Sequence, residues 1–221
     1  MVEDSALLRL LTWLSPAFPT GGFAYSHGLE WAAEAGDIRD EAGLCGWIGD
    51  LLRFGSARSD AIILRAAHRA APCDVAGICD FALAIAGSAE RRLESLAQGA
   101  AFRAASSAWV VAAPADGQAE PEIWPYPVAV GVLAAAHHVP AHDAVLAYLH
   151  GFASAQISAA MRLGLLGQAG GMRVQHDLEA VILQVADETD RLGLDDCGSA
   201  CLMADIASMR HETQYTRLFR T

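Results

Sequence analysis

Residue types that do chemistry in other proteins recur along this chain in short clusters. Ala24-Tyr25-Ser26-His27-Gly28 imitates the turn that exposes a nucleophilic serine in α/β hydrolases. Such a turn needs a strand before the serine and a helix after it. A Pro-Gly-Gly loop precedes it here, so Ser26 reads as a residue flanking a helix. His211-Glu212-Thr213-Gln214-Tyr215 approaches a zinc-protease helix motif. Tyr215 stands where the second zinc ligand belongs, so the i, i+4 ligand pair fails and a protease is excluded. His176-Asp177, with His150 upstream and Asp205 downstream, fits loosely an all-α HD-type metal-dependent phosphohydrolase. An adjacent His and Asp reach one metal only at a helix irregularity, and a solvated His176 is the plainer reading. His137, His138 and His142 cluster around Pro140, and Cys197 and Cys201 lie four apart. Neither set has converging ligands at a good spacing, so no tight metal site is expected. Gly167-Gln168-Ala169-Gly170-Gly171 precedes a helix, as anion loops do. It lacks a strand before it and a lysine beside it, and reads as a tight turn between helices.

The elements that must position these residues are helices. Leu7, Leu8, Leu11 and Leu14 fall at helical spacing behind Asp4 and Ser5, and Pro16 and Pro19 end that helix. Residues 15–23 form a stiff, kinked connector. Further helices are expected over Tyr25–Glu34, closed by Gly36, then through Trp47, Leu51 and Leu52, over Asp60–Ala71, from Asp74 to Ala86, and over Glu90–Val110. Pro114–Pro127 reads as a loop and Val128–His137 as a short apolar helix. Pro140 opens a helix whose stripe is Val145, Leu149, Phe152, Gln156, Ala160 and Leu163. Gly164–Gly171 reads as a connector, and Val174 to Leu192 as one long helix. No period-2 strand and no repeat occurs. The fold class is therefore all-α, a single compact bundle of about nine to eleven helices with a mobile or partner-ordered C-terminal segment. Residues 1–204 form the helical domain and 205–221 a partner-binding segment. Ile206, Met209, Tyr215, Leu218 and Phe219 are costly to leave in water, and Tyr215 and Leu218 are expected on one side of a helix. Removal of 206–221 is expected to leave a folded core.

Composition narrows the function. Of 221 residues, 53% are hydrophobic and 19% charged, which suits a large closed core. The net charge is −11, from 15 basic and 26 acidic residues, and no basic patch relieves it, so nucleic-acid binding is disfavoured. Every basic residue is arginine. Without lysine there is no Walker A phosphate loop and no Schiff base, so nucleotide chemistry belongs to a partner. Five cysteines without a framework spacing, an acidic start that is no signal peptide, and no apolar run of ~18 residues point to a cytoplasmic chain off the membrane.

Three stretches together resemble the UreF family of urease accessory proteins. The first is Leu14-Ser15-Pro16-Ala17-Phe18-Pro19-Thr20-Gly21-Gly22-Phe23-Ala24-Tyr25-Ser26-His27-Gly28-Leu29-Glu30. The second is Glu94-Ser95-Leu96-Ala97-Gln98-Gly99, followed by Arg162-Leu163-Gly164-Leu165-Leu166-Gly167-Gln168, where Leu165 replaces the family's usual proline. The third runs from Ile206 to Phe219. Residues 37–87 carry little signature.

The resemblance implies a non-enzymatic, dimerising, all-α chaperone that binds two partners. One is the scaffold UreD, also called UreH. The other is the GTPase UreG, whose GTP hydrolysis drives nickel insertion into the urease apoprotein. It implies no cofactor on this chain, since nickel passes through the complex. The expected partner-binding residues are Phe23, Tyr25, Ser26, His27, Glu30, Glu94, Gln98, Gln168, Arg210, His211, Glu212, Tyr215, Arg217, Leu218 and Phe219. Glu30 is expected on the surface, where its loss would spare folding. The C-terminal segment is expected to anchor UreD.

Overall fold

A computed structural model describes residues 4–109 and 121–221. Among them are eleven α-helices and no strand. They are α1 (Asp4–Trp13), α2 (Leu29–Ala35), α3 (Glu41–Phe54), α4 (Ser56–Arg69), α5 (Val75–Ala84), α6 (Ala89–Ala105), α7 (Tyr126–Ala136), α8 (Ala141–Arg162), α9 (Gln168–Asp177), α10 (Glu179–Glu188) and α11 (Leu202–His211). The all-α bundle matches the sequence reading. Residues 114–120 of the proline-rich stretch lie outside the described residues, and 121–125 are non-helical up to the start of α7.

Local chemistry sets the helix ends. The Asp40 side chain accepts the Gly43 N–H at 2.8 Å and starts α3. Ser88 does the same for the Arg91 N–H at 3.1 Å and starts α6. Gly36, in the left-handed region, donates to Ala32 and Ala33 and closes α2. Pro140 sits just before α8, where its missing N–H costs nothing.

α8 is the central helix. It buries Val145, Leu149, Phe152, Gln156 and Ala160 on the stripe its spacing predicts. It is also long and apolar enough to cross a membrane, contrary to the expectation that no segment is. Half of its apolar stretch is buried against the other helices, as in the core helix of a bundle. α4 and α7 pack closely where Gly131 lies against the Leu64 carbonyl and Ala67, and Ile63, Leu64, Val128 and Val130 are all buried in the same core. Arg65 of α4, also buried, donates to Asp190 at 2.7 Å and to the Ala186 carbonyl at 2.6 Å, which ties α4 to the end of α10.

Three expectations need correction. The Leu7, Leu8 and Leu11 stripe of α1 faces outward, while Ala6, Leu10 and Trp13 face the core. Trp13 fills a volume the leucines cannot, edge-on to Trp109 at 6.1 Å. Gly164–Gly171 is only partly a connector: Gly170 and Gly171 lie inside α9, pressed against Glu41 and Ile157. The long helix expected from Val174 to Leu192 breaks at Leu178, whose fully buried side chain joins α9 to α10.

Candidate functional site

The first and third signature stretches and the Glu94–Gly99 part of the second converge on one cluster built by the 15–28 connector, α2, α6, α11 and the ten residues after α11. Helix α2 begins at Leu29, four residues later than the spacing predicts. The cause is a left-handed pair, His27 at φ 54° and Gly28 at φ 77°. Gly28 is required for a second reason. A Cβ there would stand 2.6 Å from the Ser208 backbone nitrogen, so glycine alone lets α11 lie against this turn.

Four acidic side chains organise the cluster. Glu30, only 7% exposed, is a buried residue and not the surface residue expected from sequence. Its Oε1 accepts the Leu218 N–H at 2.6 Å, and its Oε2 accepts the Phe219 N–H at 2.9 Å. The fully buried His211 ring lies between Glu30 Oε2 at 3.0 Å and Glu90 Oε2 at 2.8 Å. Glu90 also accepts from Arg217 at 3.1 Å. Glu94 accepts from Arg91, from Gln98 at 2.8 Å, from His27 Nε2 at 2.8 Å and from the Thr221 hydroxyl at 3.2 Å. Asp60 of α4 accepts the Tyr148 hydroxyl at 2.9 Å and lies 3.7 Å from Arg91.

Electrostatics follow from burial and pairing. Burial pushes Glu94 up, but Arg91 and His27 outweigh it and hold the carboxyl down at about 2. Burial, then the Arg91 charge, lowers His27, whose Nε2 lies 2.8 Å from Glu94 and 3.1 Å from Arg91. Its other nitrogen, Nδ1, is buried without a partner. Burial raises Asp60 to about 6 against the opposing pull of Arg91. Asp60, Arg91, His27, Ser59 and Ser208 line a crevice of about 70 Å³ beside the cluster.

The segment after α11 is not helical. It folds back as an irregular strap, with the Arg220 N–H on the Ala24 carbonyl at 2.7 Å and the Ser26 N–H on the Thr221 carbonyl at 2.8 Å. The Ser26 hydroxyl also donates to that carbonyl. The separation between Tyr215 and Leu218 therefore comes from the strap and not from a helix. Both point outward, Tyr215 fully exposed, while Phe219 turns inward under the Arg162 guanidinium at 4.3 Å. Phe23 is 74% exposed on the neighbouring turn, while Tyr25 is buried. Glu212 accepts the Ala89 N–H at the start of α6. Arg210 is exposed, and so is Gln168, which opens α9 and stands outside the cluster. The boundary at 204/205 falls inside α11.

Sequence reasoning missed Glu90, Arg91, Asp60 and Thr221. The signal for two of them was present: Glu90 and Arg91 precede Glu94 by four and three residues and share its helix face. Neither candidate metal set is assembled. Of the phosphohydrolase set, His176 and Asp177 are exposed beside each other, His150 is exposed, and Asp205 accepts the Ser199 hydroxyl at 2.7 Å; of the histidine cluster, His137 Nε2 is used on the Trp109 carbonyl and His142 is 3.8 Å from Asp187. Among the described residues, no three His, Cys, Asp or Glu side chains form a group that could hold a metal.

The UreF family model matches residues 38–179. The chain belongs to the UreF family. The proteins named "Urease accessory protein UreF" from Bradyrhizobium sp. (strain ORS 278), Agrobacterium fabrum and Rhizobium leguminosarum bv. viciae are 50%, 49% and 48% identical to it. The alignments cover 99%, 98% and 99% of this chain and 93%, 97% and 98% of those relatives. The alignments with these relatives span nearly the whole chain, whereas the family model leaves out Gly28, Glu30, His211 and the strap.

Proposed function

We propose that this chain serves urease maturation as a non-enzymatic bridge. It holds the scaffold UreD and the GTPase UreG together, and GTP hydrolysis on UreG drives nickel into the urease apoprotein through that complex. The observation that supports this reading is the strap. Its backbone is bonded into the bundle while Tyr215 and Leu218 stay in solvent, as does Phe23 on the turn whose Ala24 carbonyl takes the Arg220 N–H. Apolar side chains held outward on an anchored backbone suit docking of another protein. The absence of lysine from the sequence fits a nucleotide carried by the partner. We assign the strap to UreD, the working form to a cytoplasmic homodimer, and nickel to transient cargo with no tight site on this chain.

Co-purification with UreD and UreG, each omitted in turn, tests the bridge. The expected result is capture of each partner, with UreD capture and urease activation lost in a Tyr215→Ala, Leu218→Ala double variant. Unchanged capture of UreD by that variant defeats the assignment of the strap. Equilibrium dialysis that found a stoichiometric, sub-micromolar nickel site, abolished by changing His137, His138 and His142, would defeat the cargo reading.

A further inference from the structure

The ten residues after α11 have no regular secondary structure, so their main-chain N–H groups must find acceptors elsewhere. Thr213 and Gln214 donate back to the last turn of α11, and Arg220 donates to Ala24. Leu218 and Phe219 have one acceptor between them, the Glu30 carboxylate. Two consecutive N–H groups gripping the two oxygens of one carboxylate form a fixed geometry, stronger than a neutral contact. That grip sets which way the strap's side chains point. Leu218 goes outward, and Phe219 goes inward to a site 4% exposed.

We propose that Glu30 is the positioning residue of the strap: its carboxylate fixes residues 218 and 219 and thereby sets where Tyr215 and Leu218 stand. The partner half of this proposal rests on the reading of the strap as the UreD surface. Glu30 itself offers little to a partner, because it is buried beneath the strap and its oxygens are engaged. The dependence runs both ways. A buried carboxylate needs donors, and the strap supplies two of the three that Glu30 has.

The test is hydrogen exchange on the full chain, resolved at the Leu218 and Phe219 amides, with a UreD titration of the same samples. Glu30→Gln keeps the shape but replaces one accepting oxygen with a donor. Exchange at both amides should rise roughly tenfold or more, with α4 and α8 amides unchanged and UreD affinity reduced. Glu30→Asp keeps the charge, shortens the reach by one methylene, and should show the same pattern if the Gln variant folds poorly. A Tyr215→Ala, Leu218→Ala variant should keep parental exchange and lose UreD. Parental exchange at residues 218 and 219 in both Glu30 variants overturns the proposal, as does free exchange of those amides in the parent. Faster exchange in the Glu30 variants, with UreD binding unaffected there and in the Tyr215/Leu218 variant, upholds the positioning role and overturns the docking reading instead.

Discussion

At the scale of single residues, Gly28 carries two constraints at once. Its left-handed backbone would cost an alanine roughly 1–3 kcal/mol, and the added Cβ would meet the backbone of α11 at Ser208. Gly28→Ala should lower the urea midpoint by more than a surface substitution does, and a parental midpoint would refute the close approach. Glu94 makes the clearest pH prediction. Its carboxyl is held at about 2 in the folded chain against an ordinary 4.5, so its stabilising effect is complete above pH 4.5 and is lost as pH falls toward 2. His27, lowered by burial, acts with the same sign below its ordinary 6.5. Asp60, raised to about 6 from 3.8, acts with the opposite sign and favours the folded state as pH falls between those values. Glu94→Gln should therefore be less stable than the parent at pH 7, with the gap narrowing below pH 4.5. Urea midpoints taken at intervals from pH 7 to 3 check this, and a constant gap would count against the Arg91–Glu94–His27 grouping.

At the scale of elements, α11 and the strap are separable. α11 places Ala204, Ala207, Ser208 and His211 in the interior, whereas the strap buries chiefly Phe219 and Thr221. Deletion of 212–221 should keep the helical spectrum and lower stability by the burial of one aromatic side chain, about 1.5–3 kcal/mol. The strap's donors to Glu30, Glu90 and Glu94 are lost as well. Deletion of 206–221 also removes His211 and leaves Glu30 and Glu90 facing each other in a buried site. It should yield an unfolded or aggregated product, contrary to the folded core expected from sequence. Circular dichroism and gel filtration of the two truncations distinguish these outcomes. The helices themselves were legible because long apolar stripes such as that of α8 have a strong period. The strap was not: Tyr215 and Leu218 suit a helix by spacing, yet the Leu218, Phe219 and Arg220 N–H groups are taken by Glu30 and Ala24, nearly the whole chain away. The burial of Glu30 was hidden for the same reason, since nothing near it in sequence supplies its donors. The break at Leu178 had no glycine or proline to mark it.

At the scale of the molecule, the cluster couples parts that most substitutions would probe separately. Gly28 sets the seat of α11, and α11 delivers the strap, so their effects share one cause. The stability lost in a Gly28→Ala chain lacking 212–221 should fall short of the sum of the two separate losses, as measured by urea unfolding at pH 7. Strict additivity would mean that the strap holds its place independently of α11. The bonds that close the site join residues 181, 188, 189 and 195 positions apart. Contacts of that separation are entropically expensive to form alone. They become affordable only once the helices between them have brought the two regions together. A protein that recognises the strap in this conformation therefore senses more than a short peptide. It reads whether some two hundred residues of bundle have reached their native arrangement, so recognition doubles as inspection and an immature copy is passed over without any separate device to reject it.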